Sequence, residues 1–233
     1  MTTIGIIQPN YIPWRGYFDF IHEVDIFVFL DDVQYTAQDW RNRNRVKVKS
    51  GDPIWLTVPV ISDSKSLINE VGVDHRKPWA KKHLATLQQN YGKTPFFNDY
   101  REDLTEILNA RHEMLADLDI SLISKISEWL GIHTRFVRAS ELGCSGIKDE
   151  RLLQIVSKLG ADTYLSGPAA KSYLQPALWK QAGVDLTFKN YDGYPEYQQI
   201  SDPFEPAVSV LDLLFMKGPE APDFIWNRVR KAA

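Results

Sequence analysis

Apolar residues recur with two periods along this chain, and the order of the two predicts its architecture. Residues 4–7 and 26–30 are short, continuous apolar runs, the pattern of strands buried on both faces. Between them Gly16 and Tyr17 open a short helix in which Phe18, Ile21 and His22 fall at helical spacing. Residues 45–60 read as a hairpin. VKVK alternates, Ser50-Gly51-Asp52 turns and PIWLTVPV returns, with Val46 and Val48 on one face and Lys47 and Lys49 on the other. A polar loop then enters a short strand at 68–73. Helices are predicted at 78–91, 98–110 and 114–130; Trp79, His83, Leu84, Leu87 and Tyr91 share a face of the first, and Gly92 and Gly131 stop the first and third. From residue 133 strand and helix alternate. Strands are expected at 133–139, 163–165 and 184–190, and helices at 148–159, 176–182, 208–215 and 223–231. This order predicts an α/β fold: an open, mostly parallel Rossmann-like sheet flanked by helices, with a helical lobe over about residues 75–131 and a β-hairpin insertion. No repeat, low-complexity tract or linker divides residues 1–233, so one α/β domain is expected.

Composition narrows the function classes. With 44% hydrophobic and 24% charged residues the chain is an ordinary globular one, and a net charge of −3 argues for neither nucleic acid nor an acidic membrane surface. No apolar run approaches the roughly 20 residues that span a bilayer, and residues 1–7 carry no basic leader, so a cytoplasmic protein without membrane insertion is expected. A lone Cys144 leaves no disulfide framework, and without HxxxH or HExxH no metal is expected. No GxGxxG or Walker sequence occurs, so no dinucleotide or P-loop reading follows and the cofactor stays unassigned. Seven tryptophans in a 12% aromatic chain fit a rich core or a pocket for sugars and flat rings.

In open parallel sheets ligands gather beyond the carboxyl ends of the strands. Gln8, Asn10, Tyr11 and Trp14 follow the first strand, and Asp31, Asp32, Gln34 and Tyr35 the second, so the two groups share a cleft if these strands are neighbours. Adjacent strand residues point to opposite faces, so at most one of Asp31 and Asp32 enters the cleft directly unless the strand has ended. Such a carboxylate suits a divalent metal or a base toward an amine or hydroxyl; alternatively it caps the next turn or pairs with an arginine. Within Trp40-Arg41-Asn42-Arg43-Asn44-Arg45, an extended backbone puts the arginines on one side and Asn42 and Asn44 on the other. The arginines fit the diphosphate of a nucleotide-linked substrate better than nucleic acid, because no broad basic surface accompanies them; a solvated edge is the alternative. Ser166 and Gly167 end a third strand, as an amide cradle for an anion or a plain turn. Tyr164 stands where a nucleophile elbow needs glycine. His22 and His83 lie on apolar helix faces and read as core residues, with His83 kept as a candidate base.

The segments QPNYIPWRGYFDFI, FLDDVQYTAQDWRNRNRVK, YLSGPAAKSYL and SVLDLLFMKGPEA resemble the WbqC-like protein family, from the first strand to about Ala221. Members are typically encoded among genes for O-antigen and other surface polysaccharides. The resemblance therefore implies a transferase adding an acyl or aminoacyl group to the amine of a nucleotide-linked sugar. The matching positions are Gln8, Asn10, Tyr11, Trp14, Tyr17, Asp31, Asp32, Gln34, Tyr35, Arg41, Asn42, Arg43, Asn44, Ser166 and Gly167. On this reading Tyr11, Trp14 and Tyr35 wall the sugar or base, Arg41 and Arg43 hold the diphosphate, and Asp31 or Asp32 takes the amine proton. Two alternatives stay open. One is a non-catalytic sugar-nucleotide-binding or assembly protein of the same pathway, since no complete catalytic constellation is present. The other is an ATP-dependent enzyme, because the layout is also similar to that of HIGH-motif nucleotidyltransferases. Trp14-Arg15-Gly16-Tyr17 there replaces His-x-Gly-His, and both histidines are missing. The acyl donor, the sugar and whether a homodimer forms are left open.

Overall fold

The computed structural model describes residues 1–226. It opens with β1 (Thr3–Ile7), α1 (Arg15–His22) and β2 (Ile26–Phe29). A hairpin of β3 (Arg43–Val48) and β4 (Gly51–Thr57) follows, then a small pair, β5 (Val60–Ile61) and β6 (Gly72–Val73). Three helices come next: α2 (Trp79–Tyr91), α3 (Phe97–Asn109) and α4 (Leu115–Trp129). The chain then alternates through β7 (Arg135–Arg138), α5 (Lys148–Lys158), β8 (Thr163–Ser166), α6 (Pro176–Gln181) and β9 (Asp185–Phe188), and α7 (Val210–Lys217) comes last. The segment expected as one strand at 68–73 divides into a 3-10 turn (Ile68–Glu70) and β6. Of the last predicted helix, a 3-10 turn (Gly218–Phe224) covers the start and the remainder lies outside the described residues.

All four pairings in the main sheet are parallel, and the strand order is β7-β2-β1-β8-β9. The chain starts at the centre, builds to one edge, returns beside β1 and builds to the other. The order therefore reverses between β1 and β8, where doubly wound sheets have their ligand crevice.

Helices cover both faces, which is why the strands read as unbroken apolar runs. Ile4, Ile6, Ile26, Val28 and Tyr164 pack with Ile155 and Val156 of α5 and Trp179 of α6. On the opposite face Phe27, Phe29 and Leu165 pack with Phe18, Phe20 and Ile21 of α1 and with Leu118, Leu122 and Ile126 of α4. Each such side chain contributes about 1.5–3 kcal/mol of burial. Gly5 lets α1 approach β1, since a Cβ there would stand 2.3 Å from the Phe20 ring.

Alternation along β3 fails at one residue. The pairing of β3 with β4 shifts register between Val46 and Val48, and Lys47, expected on the polar face with Lys49, is 1% exposed. Its ammonium donates to the Pro203 carbonyl at 2.5 Å. Nearby, Asp212 of α7 accepts from Tyr91 and Tyr197, each at 2.7 Å, and from Gln199 at 2.9 Å. Burial raises the Asp212 pKa, and the Lys47 charge and these donors oppose the rise. Among the described residues no helix is long and apolar enough to cross a membrane.

Candidate functional site

The loop after β1 is held on several sides. Asn44 of β3 donates to the carbonyls of Tyr11 (3.2 Å) and Ile12 (2.9 Å), and its own oxygen accepts from the Arg45 amide at 2.7 Å. The Tyr11 amide donates to the Trp40 carbonyl at 2.9 Å, and the Val210 amide at the start of α7 donates to Pro13 at 2.8 Å. These bonds keep Ile12 at a φ of 35°. That conformation is costly for a β-branched residue, and such outliers gather at functional sites.

A pocket of about 280 Å³ opens against this loop, lined by Asn10, Pro13, Trp14, Trp40, Asn44 and Ala207. Trp14 is fixed by Tyr191 (5.3 Å between ring centroids) and Tyr194 (5.9 Å), and its indole lies over Gly16, where a Cβ would stand 2.3 Å from the ring. Trp40 leans on Trp55 of β4 at 5.4 Å, and the Arg43 guanidinium lies 4.3 Å from the centre of the Trp55 ring. Arg45 bonds the Ala207 carbonyl at 2.9 Å and pairs with Glu205 at 3.5 Å. Asn42 and Asn44 are buried and the three arginines only partly so, which is the alternation expected of an extended segment.

A second group of buried titratable side chains includes Tyr11 of this loop. Tyr11 shares a hydrogen bond of 2.8 Å with His83 Nδ1, and burial lowers the His83 pKa to about 4, so its ring is neutral at ordinary pH. The Tyr17 hydroxyl donates to the Gln8 carbonyl at 3.0 Å. Asp119, on α4, is fully buried, and neither carboxylate oxygen has a hydrogen-bond partner among the described residues. Burial pushes its pKa well above the ordinary aspartate value, with Arg41 pulling in the other direction. Burial also raises Tyr11, Tyr17 and Tyr35, the last to about 12, and the Asp119 charge adds to each. Four side chains expected in the site, Tyr11, Tyr17, Tyr35 and Arg41, thus share an electrostatic coupling with an acid that the sequence reading missed. Its signal was available: Asp119 lies on the apolar face of α4 with Leu115, Leu122, Ile123 and Ile126, where a carboxylate is out of place.

Other expected residues are engaged elsewhere. β1 and β2 are neighbours, yet the acids after β2 do not line the pocket. Asp31 accepts from the Ser140 amide (3.0 Å) and hydroxyl (2.8 Å) beyond β7, and Asp32 pairs with Arg151 of α5. Both therefore do the capping and pairing that were the alternative to chemistry. Gln34 holds the Ser64 carbonyl at 2.9 Å, and the Ser166 hydroxyl donates to that of Tyr164 at 3.3 Å. Gly167 leaves open space where a Cβ would stand. Arg15 is buried, donating to Pro195 at 2.8 Å, and Arg41 pairs with Asp39. Among the described residues no three His, Cys, Asp or Glu side chains gather as a metal site.

Comparison with known proteins agrees with the motifs around this pocket. A protein of Mycobacterium tuberculosis, itself described as uncharacterized, is 42% identical over 228 residues, covering 97% of this chain and 98% of that one. No solved structure matches the chain. The profile of the WbqC-like protein family matches residues 8–224, from the loop after β1 to the end of the last 3-10 turn, and the chain belongs to that family.

Proposed function

We propose that the chain is a transferase that adds an acyl or aminoacyl group to the amine of a nucleotide-linked sugar during surface polysaccharide synthesis. The observation that carries this reading is the pocket beyond β1, walled by Trp14 and Trp40, with Arg43 stacked on the adjoining Trp55. Indole faces suit a flat base or the apolar face of a sugar. A guanidinium held on an aromatic ring suits a diphosphate, which it meets with paired donors. The reversal of strand order beside β1 supports a nucleotide ligand by analogy with other doubly wound sheets.

A second reading, a binding or assembly protein without turnover, is favoured by the engagement of Asp31 and Asp32 with Ser140 and Arg151. Thermal melting against nucleotide-linked amino sugars, acyl thioesters and ATP with magnesium separates the readings, because a ligand of the native state raises the melting temperature. The transferase reading expects a rise with a nucleotide-linked amino sugar that Trp40→Ala and Arg43→Ala abolish, followed by amide product when the right donor is added. Binding without product from any donor favours the second reading. A response to ATP alone overturns both, and no response to any of them favours an assembly protein.

A further inference from the structure

We infer that the pocket beyond β1 is the subsite for the nucleobase of the substrate, and that the side-chain amide of Asn10 reads the polar edge of that base. The inference rests on the nucleotide-linked sugar reading and says which end of that ligand enters the pocket.

Three observations carry it. First, Asn10 lines the pocket, and its Oδ1 is buried with no hydrogen-bond partner among the described residues. Buried polar groups are almost always paired, so an orphaned acceptor on a cavity wall points to a donor on a ligand. The last torsion of an asparagine is soft, so a small rotation brings this oxygen to a ligand without breaking a bond. A carboxamide also carries an N–H donor beside its acceptor. Each nucleobase has an edge with a donor next to an acceptor, which asparagine can meet with paired bonds.

Secondly, the rest of the lining offers little of this kind. Pro13 and Ala207 are apolar, and the amide of Asn44 is engaged within the protein, donating to the Tyr11 and Ile12 carbonyls and accepting from the Arg45 amide. A hexosamine in this pocket would leave most of its hydroxyl and amine groups desolvated and unpaired, which is costly. A base needs one polar edge and cover for its flat faces. Thirdly, that cover is present. Trp14 and Trp40 both line the pocket, and Trp40 is 40% exposed, which leaves indole surface free for a stacked ring.

The phosphates then fall to the arginines. Nε of Arg43 and Nε of Arg45 are also buried without partners, but they are donors, and neither arginine lines the pocket. Each touches its wall: Arg45 bonds the Ala207 carbonyl at 2.9 Å, and Arg43 lies on Trp55, against which Trp40 leans. A diphosphate supplies the acceptors that these donors lack. The loop carrying Asn10 is held before binding by Asn44 and by the bond from the Tyr11 amide to Trp40, so little ordering accompanies it.

The test is calorimetric titration with the diphosphates of uridine, thymidine, cytidine, adenosine and guanosine, with their hexosamine-linked forms, and with a hexosamine carrying a phosphate at its anomeric carbon. The expectation is that one base, or a pair sharing an edge such as uracil and thymine, binds about tenfold or more tightly than the others, the worth of one paired edge. The sugar phosphate should bind more weakly than the preferred nucleoside diphosphate. Asn10→Ala should erase most of the spread between bases, and Asn10→Asp, which keeps the shape but loses the donor, should lose the preference for the same base. Both should melt close to the wild type, since the Asn10 oxygen has no bond to lose. Arg43→Ala should weaken all five together, so that any remaining binding keeps the preference. Equal binding of all five, a preference that both Asn10 variants keep, or a sugar phosphate bound as tightly as the best nucleotide overturns the base assignment and leaves the nucleotide-linked sugar reading standing. If neither the diphosphates nor their hexosamine-linked forms bind, both fall.

Discussion

Replacing Asp119 by Asn should stabilise the protein, by an amount that grows with pH. Asn has nearly the shape of Asp and keeps its polarity, so the exchange removes little besides the ability to ionise. Below about pH 3.8, the ordinary aspartate value, the carboxyl is protonated in both folded and unfolded chains and the two proteins should match. Above it the unfolded chain loses the proton, while burial makes the folded chain keep it. Folding then takes up a proton, and the wild type loses about 1.4 kcal/mol of stability per pH unit until the folded group ionises too. For a chain of this size each such unit is about 3–6 °C in melting temperature. The attraction of Arg41 shortens the window without changing its direction. Paired melting curves or urea titrations at pH 4, 5, 6 and 7 measure the difference. A gap that does not widen between pH 4 and 6, or a variant less stable throughout, would show that the native carboxylate is satisfied and would refute the reasoning.

Asp31→Asn should behave in the opposite way, costing roughly 1.5–3 kcal/mol because the Ser140 amide and hydroxyl lose a charged acceptor. Nucleotide-sugar binding measured by titration should be unchanged; weaker binding at full stability would return Asp31 to the site. Gly16→Ala tests the pocket wall. Alanine suits a helix better by about 0.5–1 kcal/mol, but its Cβ would displace the Trp14 indole, at about 1–3 kcal/mol for an overpacked contact. Lower stability and a changed near-ultraviolet dichroism are expected, whereas a stabilised variant with an unchanged spectrum would show that the indole moves freely.

Much of the sheet was legible in the local pattern. The runs that form β1 and β2 are apolar without alternation because both of their faces are covered, and strand–helix alternation after residue 133 specifies a parallel order. The Asn42 and Asn44 alternation and the Trp14–Gly16 contact are also local, since neighbours in sequence make them. Lys47 was not legible, because the hairpin's register shift breaks the period of two and the carbonyl that receives its ammonium lies 156 residues away. The strand-end acids were found as residues, but their partners Ser140 and Arg151 arrive from the turn after β7 and from α5, which only the tertiary fold brings beside β2. Asp119 is the clearest division between the two levels. Its place on an apolar helix face is written in α4, but its surroundings come from the loop after β1 and from the segment between β2 and β3. Periodicity determines which face of an element is buried. What that face meets depends on contacts far apart in sequence, and the pKa and the partners of a buried acid are properties of those contacts.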